Sequence, residues 1–225
     1  ISGTALPPDT CSRSRCQRRR IVDVQLFPLT PFMTNCYVVR SAGEAIVIDP
    51  GETVPALLAA LEGCRVRAII NTHAHCDHCA GNALLLQETG SELMLHEEDL
   101  PLLRAIQQQG LMFGFNAMPS PDPHVFLEAE DEVRVGDLVF EVRHAPGHTP
   151  GHIVLVGPGR VFSGDVLFRG SIGRSDLPGG NHQQLLRSIQ TQLLSLPDDT
   201  VVYSGHGPAT TIGEERATNP FLAGL

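Results

Sequence analysis

The sequence predicts a mixed α/β (α+β) fold with two sheets and helices on their outer faces. Three observations predict it. Short runs rich in Val, Ile and Leu alternate with stretches of helical spacing, and Gly, Pro, Asn or Asp punctuate them. These elements fall into two rough halves, without the regular strand–helix alternation of a doubly wound sheet. No linker and no repeat divides residues 21–225.

Taken in order, IVDVQLFPL, NCYVVR and EAIVIDPG read as strands, with AIVI a buried strand closed by Pro50 and Gly51. VPALLAALE (54–62) has helical spacing, and RVRAII (65–70) is again strand-like. NALLLQETG predicts a helix that stops at Gly90. ELMLH reads as a strand, and EEDLPLLRAIQQQG as a helix with acids in its first turn. Residues 111–124 predict a loop, with Met112, Phe113, Phe115 and Met118 as an apolar cover over a site or a dimer contact. DEVRVGDLVFEVRHAPG and HIVLVGPGRVFSGD are mostly strand. HQQLLRSIQTQLLSL (182–196) is an amphipathic helix, and TVVYSGHG is a last strand and loop.

The net charge of −9 repels phosphate backbones and disfavours a nucleic-acid partner. No apolar run approaches the roughly 18 residues of a membrane span. Residues 1–20 carry five Arg and one Asp and have no apolar periodicity. They lack a secretory core and bear a faint likeness to a transit peptide; they are read as a flexible leader or a cloning remnant. Six cysteines in 225 residues do not make a disulfide scaffold and fit a reducing cytoplasm. Cys76 and Cys79 form a CxxC, read as small residues packing beside a site rather than as a redox or zinc pair.

The chemistry concentrates in NTHAHCDHCAGN (71–82), where His73, His75, Asp77 and His78 follow an apolar strand. Residues two apart on extended chain point the same way, so His73 and His75 share a side. Imidazole and carboxylate suit zinc, iron and manganese. Four such donors exceed what one catalytic ion takes, which suggests two metals. Further ligands must come from later loops: His148 and His152 in APGHTPGH, Asp165 in FSGDVLF and His206 in VVYSGHGP. All lie beside glycine at strand ends. His144 and His152 flank the His148 loop and are read as strand-entry residues ahead of a role supporting the ligands, His96 and His124 as surface residues and His182 as a helix start.

In their order, THAHCDH, PGHTPGH, SGDVLF and SGHGP resemble the metallo-β-lactamase superfamily, and among its members the small bacterial-type, glyoxalase II-like hydrolases. FRGSIGRSDLPGGN and GPATTIGEERATNPFL add to the likeness, which covers nearly everything from residue 21 onward. The resemblance implies a four-layer αββα sandwich with metals at one edge. It implies one metal on His73, His75 and His148, a second on Asp77, His78 and His206, and Asp165 bridging both. Zinc is the first expectation, with iron or manganese as alternatives. A hydroxide held between the metals would attack a thioester such as S-D-lactoylglutathione, with Asp77 orienting the nucleophile.

Arg174 stands where the family's basic glutathione contact stands, nine residues after Asp165. It could grip a substrate carboxylate or pair with Asp176. The family's two tyrosine contacts fall on Asp176 and Pro208, and the chain ends soon after NPFL, where a helical glutathione-binding domain would follow. Glutathione recognition is therefore expected to depart from the glyoxalase II pattern. The alternatives within the superfamily are a mononuclear iron persulfide dioxygenase and a lactonase.

Overall fold

A computed structural model describes residues 22–225; the leader reading of residues 1–20 falls outside them. The first sheet opens as an antiparallel meander of β1 (Asp23–Leu29), β2 (Thr34–Ser41) and β3 (Glu44–Ile48). Helix α1 (Pro55–Leu61) starts on a proline, whose fixed φ suits a first helical turn and whose missing N–H is not needed there. It returns the chain so that β4 (Arg65–Ile70) runs parallel to β3. Helices α2 (Cys76–Cys79) and α3 (Asn82–Thr89) lead to β5 (Glu92–Leu95), parallel to β4. Gly90 ends α3 as expected, in the left-handed conformation that glycine adopts without strain. Helices α4 (Leu100–Arg104) and α5 (Ile106–Met112) precede β6 (Val125–Phe126), the last of six strands in sequential order.

The second sheet is a meander of β7 (Glu132–Val135), β8 (Leu138–His144), β9 (Ile153–Gly157) and β10 (Arg160–Gly164). A small hairpin, β11 (Leu167–Phe168) with β12 (Ser171–Ile172), and helix α6 (His182–Ser188) follow. Strand β13 (Val201–Ser204) then lies parallel to β10, with β14 (Thr210–Thr211) at the edge and α7 (Ile212–Thr218) after it.

Both faces of each sheet are buried, and period two sorts the side chains. Val39, Ile46, Ile48 and Ile70 meet Phe140, Val142, Leu155 and Phe162 between the sheets. Cys36, Val38, Val47 and Ile69 point the other way, onto Leu57 and Leu61 of α1 and Leu85 of α3. Val154, Val161 and Val202 of the second sheet cover Leu185, Ile189 and Ile212 on its outer side. The result is helix, sheet, sheet, helix: the αββα sandwich. Among the described residues, no helix is long and apolar enough to cross a membrane.

Three expectations need adjustment. The helix read over 97–110 is a 3-10 turn, α4 and α5, broken at Ala105, and α5 runs two residues into the expected loop, to Met112. Asp99 is fully buried at that start, with its carboxylate bonded to three groups of other loops, which fixes the first turn away from a continuous helix. The helix from His182 relaxes after Ser188 into a π-helical turn, Ile189–Leu193.

Phe140 is fully buried between the sheets, 5.8 Å from the Phe162 ring. Phe140→Ala is expected to cost about 3–5 kcal/mol, read as a shift of the denaturation midpoint at unchanged slope. A cost below ~1 kcal/mol would mean that this layer is not tightly packed.

Candidate metal centre

Five strand ends converge on one edge of the sandwich. β4 leads into His73, His75, Asp77 and His78, and β3 leads into Asp49. The loop after β8 carries His148, β10 ends at Gly164 before Asp165, and β13 ends at Ser204 before His206. Every metal-ligand candidate read from the sequence reaches this edge. His73, His75 and His148 bring one donor atom each within 4.8 Å of one another, and so do Asp77, His78 and His206. Asp165 lies between the two groups. Its Oδ2 is 3.6 Å from His148 Nε2 and 3.5 Å from His206 Nε2, and its Oδ1 is 3.5 Å from His78 Nε2.

Several ring nitrogens lie against fixed neighbours on one side, which turns the other nitrogen of the ring toward the cluster. His148 Nδ1 is 2.7 Å from the Arg174 carbonyl, and its Nε2 faces His75 Nδ1 at 2.9 Å. His206 Nδ1 is 3.2 Å from the Phe32 carbonyl. His78 Nδ1 is 3.1 Å from Asp49 Oδ2, and His73 Nδ1 is 3.0 Å from Thr72 Oγ1. Thr72 in turn donates from its N–H and its hydroxyl to Asp49, both at 2.7 Å.

The donor set fits a cation. His73 Nε2, His78 Nε2 and Asp165 Oδ1 are buried and have no hydrogen-bond partner among the described residues. Orphaned buried polar atoms are costly, and three aimed at one hollow are what metal ligands look like without their ion. Burial, then the neighbouring imidazoles, push His73 far down and His75 down to about 3, so both present the neutral form that binds metal. Burial alone would lower His78 as well, but Asp77, Asp165 and Asp49 hold it up at about 10. Burial would raise Asp77, yet His78, His206 and the Thr34 hydroxyl, which donates to Oδ2 at 2.7 Å, keep it well below the usual carboxylate range.

The helix α2 explains how CxxC and the ligands interleave. Asp77 and His78 join the donor cluster, while Cys76 and Cys79 pack with Leu95, Leu103 and Ile106. Both thiols are free; burial pushes Cys76 up to about 11 and Cys79 further, so neither offers a thiolate.

A model of the metallo-beta-lactamase superfamily matches residues 29–206, most of the chain. The chain belongs to that superfamily. It is 36% identical over 208 residues to the hydroxyacylglutathione hydrolase GloC of Haemophilus influenzae, covering 89% of this chain and 98% of that one. Among solved structures, the BLEG-1 B3 metallo-beta-lactamase superposes with a TM-score of 0.84 at 38% identity, over 90% of this chain and all of its own. TTHA1623 in a di-iron-bound form gives 0.82 at 41% identity, over 88% and 100%. ETHE1 from Myxococcus xanthus gives 0.72 at 28%, over 90% and 85%.

The cluster is set in further residues, of which the sequence reading passed over Asp49 and Asp99. Asp49, at the end of β3 with φ 52°, supports His78 and Thr72. Asp99 accepts from the Ala74 and Gly151 amides and the Thr149 hydroxyl, pinning the two histidine loops together. His152, read as a strand-entry residue, is fully buried and accepts the Asp165 N–H at 3.0 Å. Its ring stacks on His73 at 4.8 Å. His96 and His144 stack on each other at 4.2 Å, outside the centre. His124 is exposed, and His182 opens α6.

Arg174 lies on the rim of a cavity of ≈ 220 Å³ lined by His75, Asp77, His148, Asp165 and His206. Its guanidinium meets both oxygens of Asp176, at 2.7 and 2.8 Å, and both side chains are more than half exposed. The ion pair weighed from the sequence is therefore formed, beside the cavity.

Proposed function

We propose that the chain is a dinuclear metallohydrolase of the glyoxalase II type, cleaving a thioester such as S-D-lactoylglutathione. One observation carries the reading: the Asp165 carboxylate faces His148 of one triad and His78 and His206 of the other. A mononuclear iron site, as in a persulfide dioxygenase, would leave the assembled Asp77–His78–His206 triad without a role. The GloC likeness over nearly the whole of both chains supports the thioester substrate.

In this reading His73, His75 and His148 hold one divalent cation, Asp77, His78 and His206 a second, and Asp165 both. Zinc is the first candidate; iron, present in a solved relative, and manganese suit the same donors. When bound there, such a pair would supply a hydroxide at neutral pH and would polarise the substrate carbonyl. The chain does the rest. Asp77, fixed by Thr34 and 3.3 Å from His206 Nε2, orients the attacking water. Thr72, Asp49, the Arg174 carbonyl and the Phe32 carbonyl hold the ligand rings in place. Arg174 offers its guanidinium to a carboxylate of the thiol carrier. The buried free thiols Cys36, Cys76 and Cys79 suit a reducing compartment such as the cytoplasm.

The test is thiol release from S-D-lactoylglutathione by protein stripped with a chelator and then reloaded with zinc, iron or manganese. Release that returns with metal supports the reading. Turnover of a lactone and of no thioester would replace it with the lactonase alternative. Arg174→Ala is expected to raise KM for an anionic thioester about tenfold with kcat nearly constant, the worth of one charge-assisted contact. A drop in kcat at unchanged KM would remove Arg174 from substrate binding.

A further inference from the structure

One wall of the cavity is built from residues that no metal needs. Phe32 lies in the turn between β1 and β2, and Phe113 directly follows α5. Their rings meet edge to face with centroids 6.2 Å apart, and Phe115 stands 5.9 Å from Phe32 in the same manner. Phe32 and Phe113 stay 38% and 44% exposed, and both line the cavity beside the ligand histidines. Leu177 adds a third apolar side chain to the lining. Ring surface left open next to a reaction centre is surface that an apolar part of a ligand can cover.

The wall is fixed relative to that centre. The Phe32 carbonyl is bonded to His206, and the N–H of Asn35, three residues on, donates to the Gly205 carbonyl at 2.7 Å. Gln109 of α5 accepts the Cys76 N–H at 3.0 Å and donates to the Ala74 carbonyl at 3.1 Å. The helix that carries Phe113 is thereby tied to the loop that carries His73, His75 and Asp77. Whatever touches the rings is held at a set distance from the reacting atoms, which is how a binding contact becomes selectivity.

We infer that Phe32 and Phe113 form an acyl subsite that takes an apolar, ring-sized substituent, so that the enzyme favours aryl-bearing acyl thioesters over small hydroxyacyl ones. The inference rests on the thioester reading above. That reading gives the carboxylate of the thiol carrier to Arg174, the arginine on the lining among the described residues, and leaves the acyl group to the aromatic wall.

Two unreactive thioethers test it without turnover. S-benzylglutathione and S-methylglutathione differ by one phenyl ring on the carbon that stands for the acyl carbon. With metal-loaded protein the benzyl compound is expected to bind about tenfold more tightly. In Phe113→Ala that preference should fall to about twofold or less, with Phe113→Leu between. Equal affinity of the two thioethers for the wild type, or a preference untouched in Phe113→Ala, would overturn the subsite. Turnover of S-mandeloylglutathione and S-D-lactoylglutathione on the same sample separates the two claims. Discrimination between the thioethers with no thioester cleaved would sink the hydrolase and leave the aryl subsite standing. Cleavage of both thioesters without preference for the ring would do the reverse.

Discussion

His148→Ala is expected to lose metal and to abolish thioester turnover while keeping its fold. The His148 ring is 2% exposed, with Nδ1 on the Arg174 carbonyl and Nε2 among His75 and Asp165. Its removal takes one donor from the His73–His75–His148 triad and one neighbour from the Asp165 carboxylate. Loss of a group that only orients a ligand typically costs about 10–100-fold in metal affinity, so loss of a ligand itself should cost more than about 100-fold. Elemental analysis and thiol release, with circular dichroism to confirm the fold, read all three effects. Wild-type turnover with full metal content would break the ligand assignment.

Gly205→Ala is expected to do comparable damage without removing any donor. A Cβ on Gly205 would fall 2.1 Å from Asp165 Oδ1 and 2.8 Å from His78 Cε1. Gly205 is not in the left-handed region, so its backbone would accept alanine and the penalty is purely steric. The methyl must displace the carboxylate that faces both triads. Overpacking of this kind costs about 1–3 kcal/mol of stability, and the larger effect is on metal content and rate. A variant with two metals and normal turnover would show that Asp165 can shift without consequence, against the bridging role.

The proposed ligands were legible because most of them are contiguous and the rest sit beside glycine at strand ends. His73 to His78 form one run, and His148, Asp165 and His206 each follow a strand of obvious apolar pattern. The residues that hold them were not legible, because their partners are remote in the chain. Asp49 serves Thr72 and His78, and Asp99 serves Ala74, Thr149 and Gly151. Nothing local distinguishes such an acid from one at a strand or helix end. His152 was weighed between a strand-entry residue and a support for the site; it does precede strand β9, and its ring turns inward to the Asp165 amide. One signal was available and unused. Thr211 and Glu214 have capping-box spacing, and Thr211 accepts the Glu214 N–H at the start of α7. The two sheets with helices outside followed from the order of strands and helices in two halves, and the four-layer sandwich from the family resemblance. The 3-10 start at Glu97–Asp99 did not, because it depends on where Asp99 is anchored.

The most direct test of the dinuclear reading is the metal content per chain of the purified protein, with thiol release from S-D-lactoylglutathione and oxygen uptake with glutathione persulfide measured on the same sample. About two metals per chain, with thiol release and no oxygen uptake, is the predicted result. About one iron per chain with oxygen uptake would contradict it, and would mean that the same fold carries oxidative rather than hydrolytic chemistry.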